Sequence, residues 1–110
     1  AIRDYIHVSD LADIHLEVAK YLLKNSESNL FNCGYGKGFS VLDVINMANK
    51  IYKNKINYTF SKRRKGDVEQ LVSDVSKLNK YIDWKPKFND LKKIIRSSVN
   101  WEVKINEKNL

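Results

Sequence analysis

One proline, one cysteine and four glycines in 110 residues leave little material for interdomain linkers, disulfide frameworks or loop-rich scaffolds. Cys33 has no partner with which to form an internal disulfide, and the chain is expected to work in a reducing cytoplasm. No apolar run approaches the roughly 20 residues that a membrane-spanning helix needs. The opening AIRDYIHVSD also lacks the ordered basic start, apolar stretch and small-residue cleavage site of a secretory signal. No membrane partner is expected. A chain of this length, 43% hydrophobic, suffices for one modest core, because a domain near this size buries about two thirds of its unfolded surface.

Carboxylates are missing from one long stretch, Lys50 to Lys65, which ends in Arg63-Arg64-Lys65 within a chain of net charge +7. Such a balance invites a nucleic-acid reading, since clustered cations release counterions from a phosphate backbone. The excess is mostly lysine, accompanied by abundant asparagine and isoleucine, and a solvated basic surface explains it. A single-strand binder would carry exposed aromatics among its basic residues. Tyr58 and Phe60 instead alternate with Asn57, Thr59 and Ser61, the period of a strand with one buried side, so no nucleic-acid partner is expected.

The local pattern is mixed α/β. A strand is expected over Tyr5–Val8, then a helix over 11–24 whose stripe is Leu11, Ile14, Val18 and Leu22, with Ser9 or Asp10 as its cap. Asn29–Cys33 reads as a short strand ending in a turn that contains Gly34, Gly36 and Gly38. Ser40 with Asp43 three residues on resembles a capping box, opening a second helix through Tyr52. Ile56–Phe60 reads as a strand, 67–72 as loop with a short extended piece, and 75–82 as a short helix stopped by Trp84-Lys85-Pro86. A last helix covers 90–104, capped by Asn89 or Asp90, with a frayed tail from Asn106.

Strand, glycine turn and helix at 29–53 suggest a dinucleotide fingerprint, but the third glycine of that motif would fall on Phe39. A turn that ends one element and begins the next is the better reading, and no cofactor is expected to bind this chain. His7, Asp10, Asp13, His15 and Glu17 lack the spacing that sets two imidazoles on one helix face, and no metal site is assigned. Arg63-Arg64-Lys65-Gly66-Asp67 is more informative. A guanidinium is a planar fork of donors that matches phosphate oxygens and keeps its charge, so two in one turn suit a diphosphate. Gly66 lets the backbone fold tightly, and Asp67, acceptor-only when ionised, suits a pair of ribose hydroxyls.

Four motifs in order, RDYIHVSDLADIH, FNCGYGKGFSVLDVI, RRKGD followed by LVSD, and IDWKP, resemble the carboxy-terminal portion of extended short-chain dehydrogenase/reductases acting on nucleotide sugars. The RRKGD motif with Asp74 seven residues after Asp67 is closest to their UDP-sugar 4-epimerase group. The resemblance spans the chain. It implies a fold of about four helices and three or four short strands: a carboxy-terminal substrate lobe joined to the last strand and helix of an NAD-binding Rossmann-like domain. Residues 1–38 would belong to the edge of the cofactor sheet and 39–110 to the small substrate-binding lobe.

The same resemblance implies roles. Arg3 and Arg64 would contact the UDP pyrophosphate, Asp67 the ribose hydroxyls, and Leu71 would lie near the sugar, where side-chain size bears on whether an N-acetyl group is accepted. Family members interconvert UDP-glucose and UDP-galactose by moving hydride from C4 of the sugar to NAD and back, with a tyrosine base and a lysine four residues on. No such pair is expected to act here. Lys62 follows Tyr58 by four, but the family places nothing catalytic at that point. The chain alone is therefore expected to be an inactive fragment, with NAD bound by the missing amino-terminal part. Apolar surface normally covered by that part would favour homo-oligomers. A related nucleotide-sugar dehydratase or uronate epimerase is the alternative parent.

Overall fold

The computed structural model of the chain describes residues 1–108. Four helices and three two-residue strands make up its regular structure: β1 (Ile2–Arg3), α1 (Val8–Asn25), β2 (Phe39–Ser40), α2 (Val41–Tyr52), β3 (Gln70–Leu71), α3 (Ser76–Tyr81) and α4 (Leu91–Lys108). The first strand sits centrally, antiparallel to β2 with Arg3 opposite Phe39, and parallel to β3 with Arg3 opposite Leu71.

Each helix forms for a reason visible in its sequence, with one surprise in its capping. His7, rather than Ser9 or Asp10, caps α1: its Nδ1 accepts from the Ser9 N–H at 3.0 Å, and its carbonyl accepts from Leu11 N–H. The helix ends at Ser26, which takes a left-handed conformation and returns its N–H to the Leu22 carbonyl. In α2 the capping box expected from Ser40 and Asp43 closes both ways, at 2.8 and 3.0 Å. The last helix runs to Lys108, so Asn106–Lys108 are helical rather than frayed, and the rest of that expected tail lies outside the described residues.

The core is small. Ile14, Leu78 and Ile82 are buried together, with Ile6, Val18, Tyr21, Phe31, Cys33 and Trp84 packed against them. Leu91 and Ile95 are buried on α4, which lies against α2.

Three expected strands are absent among the described residues. Val8 instead opens α1, and Tyr5–His7, Asn29–Cys33 and Ile56–Phe60 have suitable patterns but pair with no ladder in the described chain. At 29–33 the alternation survives without the strand: Phe31 and Cys33 turn toward the core while Leu30 is 80% exposed. At 56–60 even the alternation is lost. Tyr58 and Phe60, expected on a buried side, are both exposed and meet edge to face at 5.6 Å.

Candidate functional site

The site is assembled where β1 and β3 run side by side. Arg3, on the central strand, donates from one guanidinium nitrogen to the Ile2 carbonyl at 2.8 Å and from the other to Asp67 Oδ1 at 2.9 Å. Asp67 follows the turn made by Gly66, whose φ of 82° is open to glycine and strained for other residues, and its N–H returns to the Arg64 carbonyl. From that turn the Arg64 guanidinium reaches Asp67 Oδ2 at 3.8 Å. Two guanidiniums distant in sequence thus approach the two oxygens of one carboxylate. Arg3 and Asp67 are each about a third exposed, while Arg64 is 88% exposed. Leu71, in register with Arg3, is exposed on the edge strand. All four residues singled out from the sequence therefore lie in one neighbourhood.

A concavity of about 430 Å³ opens at Arg64 and Asp67, lined also by Phe60, Arg63, Val68 and Glu69 among others, whereas Arg3 and Leu71 do not line it. Arg63 lies 3.9 Å from Glu69, with both side chains largely in solvent, an arrangement that contributes little to stability.

The glycine turn is occupied by a side chain of the chain itself. The N–H groups of Tyr35 and Gly36, the kind that would cradle a pyrophosphate, are donated to the Asp4 carboxylate at 3.0 and 2.9 Å. A Cβ on Gly34 would stand 2.5 Å from Asp4 Oδ2. A turn filled by a carboxylate repels phosphate, so the residues present do not fit NAD there.

A second carboxylate organises the chain from within. Asp10 is fully buried and accepts the Tyr35 hydroxyl and the N–H groups of Lys87 and Phe88, at 3.0 and 2.9 Å for the last two. Burial by itself would raise its pKa. The three donated bonds and the nearby His7 outweigh that and hold it below the ordinary carboxylate value. Burial first, then the bond to Asp10, pushes the Tyr35 phenol far above its usual range. His7 stacks on Phe88 at 4.2 Å. Sequence reasoning missed Asp10 as an interior residue, although it stands four before Ile14 and eight before Val18 on the inner stripe of α1.

Neither tyrosine that has a lysine four residues on shares a helix with it. Tyr58 and Lys62 lie in irregular chain. Lys85 also follows Tyr81 by four, a pair the motif reading did not single out. Helix α3 ends at Tyr81 and Ile82 is extended, so the two side chains do not share a helical face. Burial raises the Cys33 thiol, which disfavours a reactive thiolate.

No family model matches the chain. It is 43% identical over 101 residues to a UDP-glucose 4-epimerase of Azospirillum brasilense, covering 92% of this chain and 29% of that protein. Among solved structures, the UDP-Glc/GlcNAc 4-epimerase of Campylobacter jejuni superposes with a TM-score of 0.84 at 43% identity, over 94% of this chain and 31% of that one. The UDP-glucose 4-epimerase of Bifidobacterium longum in complex with NAD+ and UDP gives 0.78 at 34% identity, over 94% and 30%. The chain thus spans about 30% of the length of the relatives it matches, and what it matches is a carboxy-terminal part of UDP-glucose 4-epimerases, as the four motifs implied.

Proposed function

We propose that this chain is the part of an NAD-dependent UDP-glucose 4-epimerase that grips the UDP moiety of its substrate. The supporting observation is the convergence of Arg3 and Arg64 on the two oxygens of Asp67, beside Leu71. Asp67 draws both guanidiniums to one point. On entry of a UDP-sugar the phosphates take over the guanidiniums, and the freed carboxylate accepts from the ribose hydroxyls, so phosphate and carboxylate oxygens both keep hydrogen-bond donors. Leu71 then flanks the sugar as an apolar wall. The parent enzyme would interconvert UDP-glucose and UDP-galactose; NAD, held outside these residues, supplies acceptance and return of hydride at C4. None of the residues here is assigned a catalytic role, and the chain alone is expected to be inactive.

The division at residue 38 belongs to the same proposal. Helix α1 in the first segment carries a second apolar face, with Val8 73%, Leu16 57% and Leu23 84% exposed, as expected of an element seated against a larger sheet. Left uncovered, that face favours self-association, and light scattering of the chain at high concentration is expected to report homo-oligomers. A cytoplasmic location accords with a free thiol, and no described helix is long and apolar enough to cross a membrane.

Exposed Tyr58 and Phe60 beside a carboxylate-free basic stretch favour a second reading, a surface for single-stranded nucleic acid. Asp67 and Glu69 among the guanidiniums oppose a polyphosphate there and support a bounded diphosphate instead. Calorimetric titration separates the two. UDP is expected to bind no tighter than about 1 µM, because the remaining contacts of a full site are lacking. Arg64→Ala should weaken UDP at least about tenfold, the scale of one charge-assisted hydrogen bond, and leave uridine unaffected. Equal responses to UDP and uridine, or preference for an oligonucleotide over both, would discard the diphosphate grip.

A further inference from the structure

Asp4 follows Arg3 directly, yet its side chain serves other neighbours. Oδ1 accepts from Tyr35 N–H at 3.0 Å, and Oδ2 accepts from Gly36 N–H at 2.9 Å and from Ser73 N–H at 3.3 Å. The Ser73 hydroxyl in turn donates to the Cys33 carbonyl at 3.3 Å. One carboxylate therefore ties the end of β1 to the glycine turn on one side and to the backbone just beyond β3 on the other. Among the described residues it has no cationic partner, so backbone N–H groups meet its charge.

The strands need such a tie. Each is two residues long, and a parallel pair of that length has too few ladder bonds to hold its register. The separation of Arg3 from Asp67 and Leu71 depends on that register, because the guanidinium springs from β1 and its neighbours flank or occupy β3. The turn that Asp4 grips is itself pinned, since the Tyr35 hydroxyl donates to buried Asp10 and accepts from His7 N–H at 3.2 Å. The bare face of Gly34 lets the carboxylate approach.

We infer that Asp4 is a positioning residue for the diphosphate grip: it fixes the β1–β3 register and so holds the Arg3 guanidinium against Asp67, without touching ligand itself. The ligand named here rests on the reading of the site given above; the register does not, and the test separates them.

Asp4→Asn keeps the shape but sets an amide NH₂ against at least one backbone N–H. In the folded 110-residue chain, nitrogen-15 relaxation reads the order of Arg3 Nε, and amide exchange reads Tyr35, Gly36 and Ser73. At least one of these amides is expected to exchange at least about tenfold faster, as for loss of a charge-assisted hydrogen bond, and Arg3 Nε to become mobile. The amides of Lys87 and Phe88, held by Asp10, should keep their wild-type rates. UDP affinity should fall about as far as in Arg3→Ala. Asp4→Glu, which keeps the charge on a longer stem, should stay folded and still loosen Arg3. An unchanged Arg3 Nε, unchanged UDP affinity in a folded Asp4→Asn, or equal acceleration at Lys87 and Phe88 would overturn the inference. So would failure of both variants to fold, which would make Asp4 a support of the whole fold. If Arg3 loosens as expected while the wild-type chain takes up no UDP, the ligand reading fails and the positioning role stands.

Discussion

The stretch around Tyr35 and the stretch from Lys53 to Glu69 are similar in kind, both irregular chain between helices, yet they are held in opposite ways. The first is stitched by two carboxylates, Asp4 and Asp10, that together accept five backbone N–H groups and one hydroxyl. The second is exposed almost throughout, and apart from the half-buried Arg3–Asp67 pair its charged contacts are at the surface. Charge acts as structure where it is buried and met by donors, and remains available to a ligand where it is solvated.

Removing the stitch should have the largest effect. Asp10→Ala strands a half-buried hydroxyl and two backbone N–H groups, and is expected to destabilise the chain by about 3 kcal/mol in chemical denaturation. A loss under about 1 kcal/mol would erase the contrast between the two regions. The same residue fixes the response to acid. Its folded pKa lies below its unfolded value, so the folded state binds this proton less readily. The associated stability is fully present above the ordinary carboxylate range and disappears as pH falls through the depressed value. Denaturation midpoints measured downward from neutral pH should decline in that window in the wild type, with a shallower decline in Asp10→Asn.

Gly34→Ala comes next. Its new methyl would meet Asp4 Oδ2 at 2.5 Å and Ser73 Oγ at 2.7 Å, so the turn or the carboxylate must move. A cost of about 1–3 kcal/mol is expected, the scale of overpacking at a tight contact, together with faster exchange at Gly36. A neutral result would mean that the turn is free to yield.

How far the sequence announced these features depends on whether their cause is local. The capping box at Ser40 is satisfied within a few residues and closes as expected, whereas the α1 stripe is met only in part: Ile14 and Val18 pack inward, but Leu22 is exposed and Tyr21 packs on the core. Ile56–Phe60 has a strand's alternation, but a strand is completed by a neighbour, and no ladder in the described chain supplies one. Arg64 and Asp67 could be named as candidates because guanidiniums around a tight turn carry their chemistry in their residue types, whereas Arg3 and Leu71 were named only through the resemblance of the motifs. The roles of the two stitching carboxylates were not legible. Asp4 and Asp10 gain their partners from residues as distant as Ser73 and Phe88, which neither periodicity nor motif spacing brings together.

On the exposed side, Arg64→Ala should leave folding within about 0.5 kcal/mol of wild type, since the side chain is almost wholly in solvent and its contact with Asp67 is long. Its effect is expected on UDP alone. A stability loss comparable to that of Gly34→Ala would indicate that the basic turn is part of the scaffold.

The smallest effect is expected at Phe60, 81% exposed and touching Tyr58 edge to face. An aromatic pair of this geometry contributes about 0.5–1.5 kcal/mol beyond burial when enclosed, and solvent on most sides reduces that. Phe60→Ser should therefore shift the denaturation midpoint hardly at all, and by removing an exposed apolar ring it should reduce any self-association measured by light scattering. Phe60 also lines the concavity beside Arg64, so the same variant titrated with UDP asks whether the ring is an idle neighbour or a wall of the site. An unchanged midpoint with weakened UDP binding would extend the ligand-facing region to residue 60, whereas a marked loss of stability would show that this segment is held by packing after all, and the contrast with the carboxylate-stitched turn would not stand.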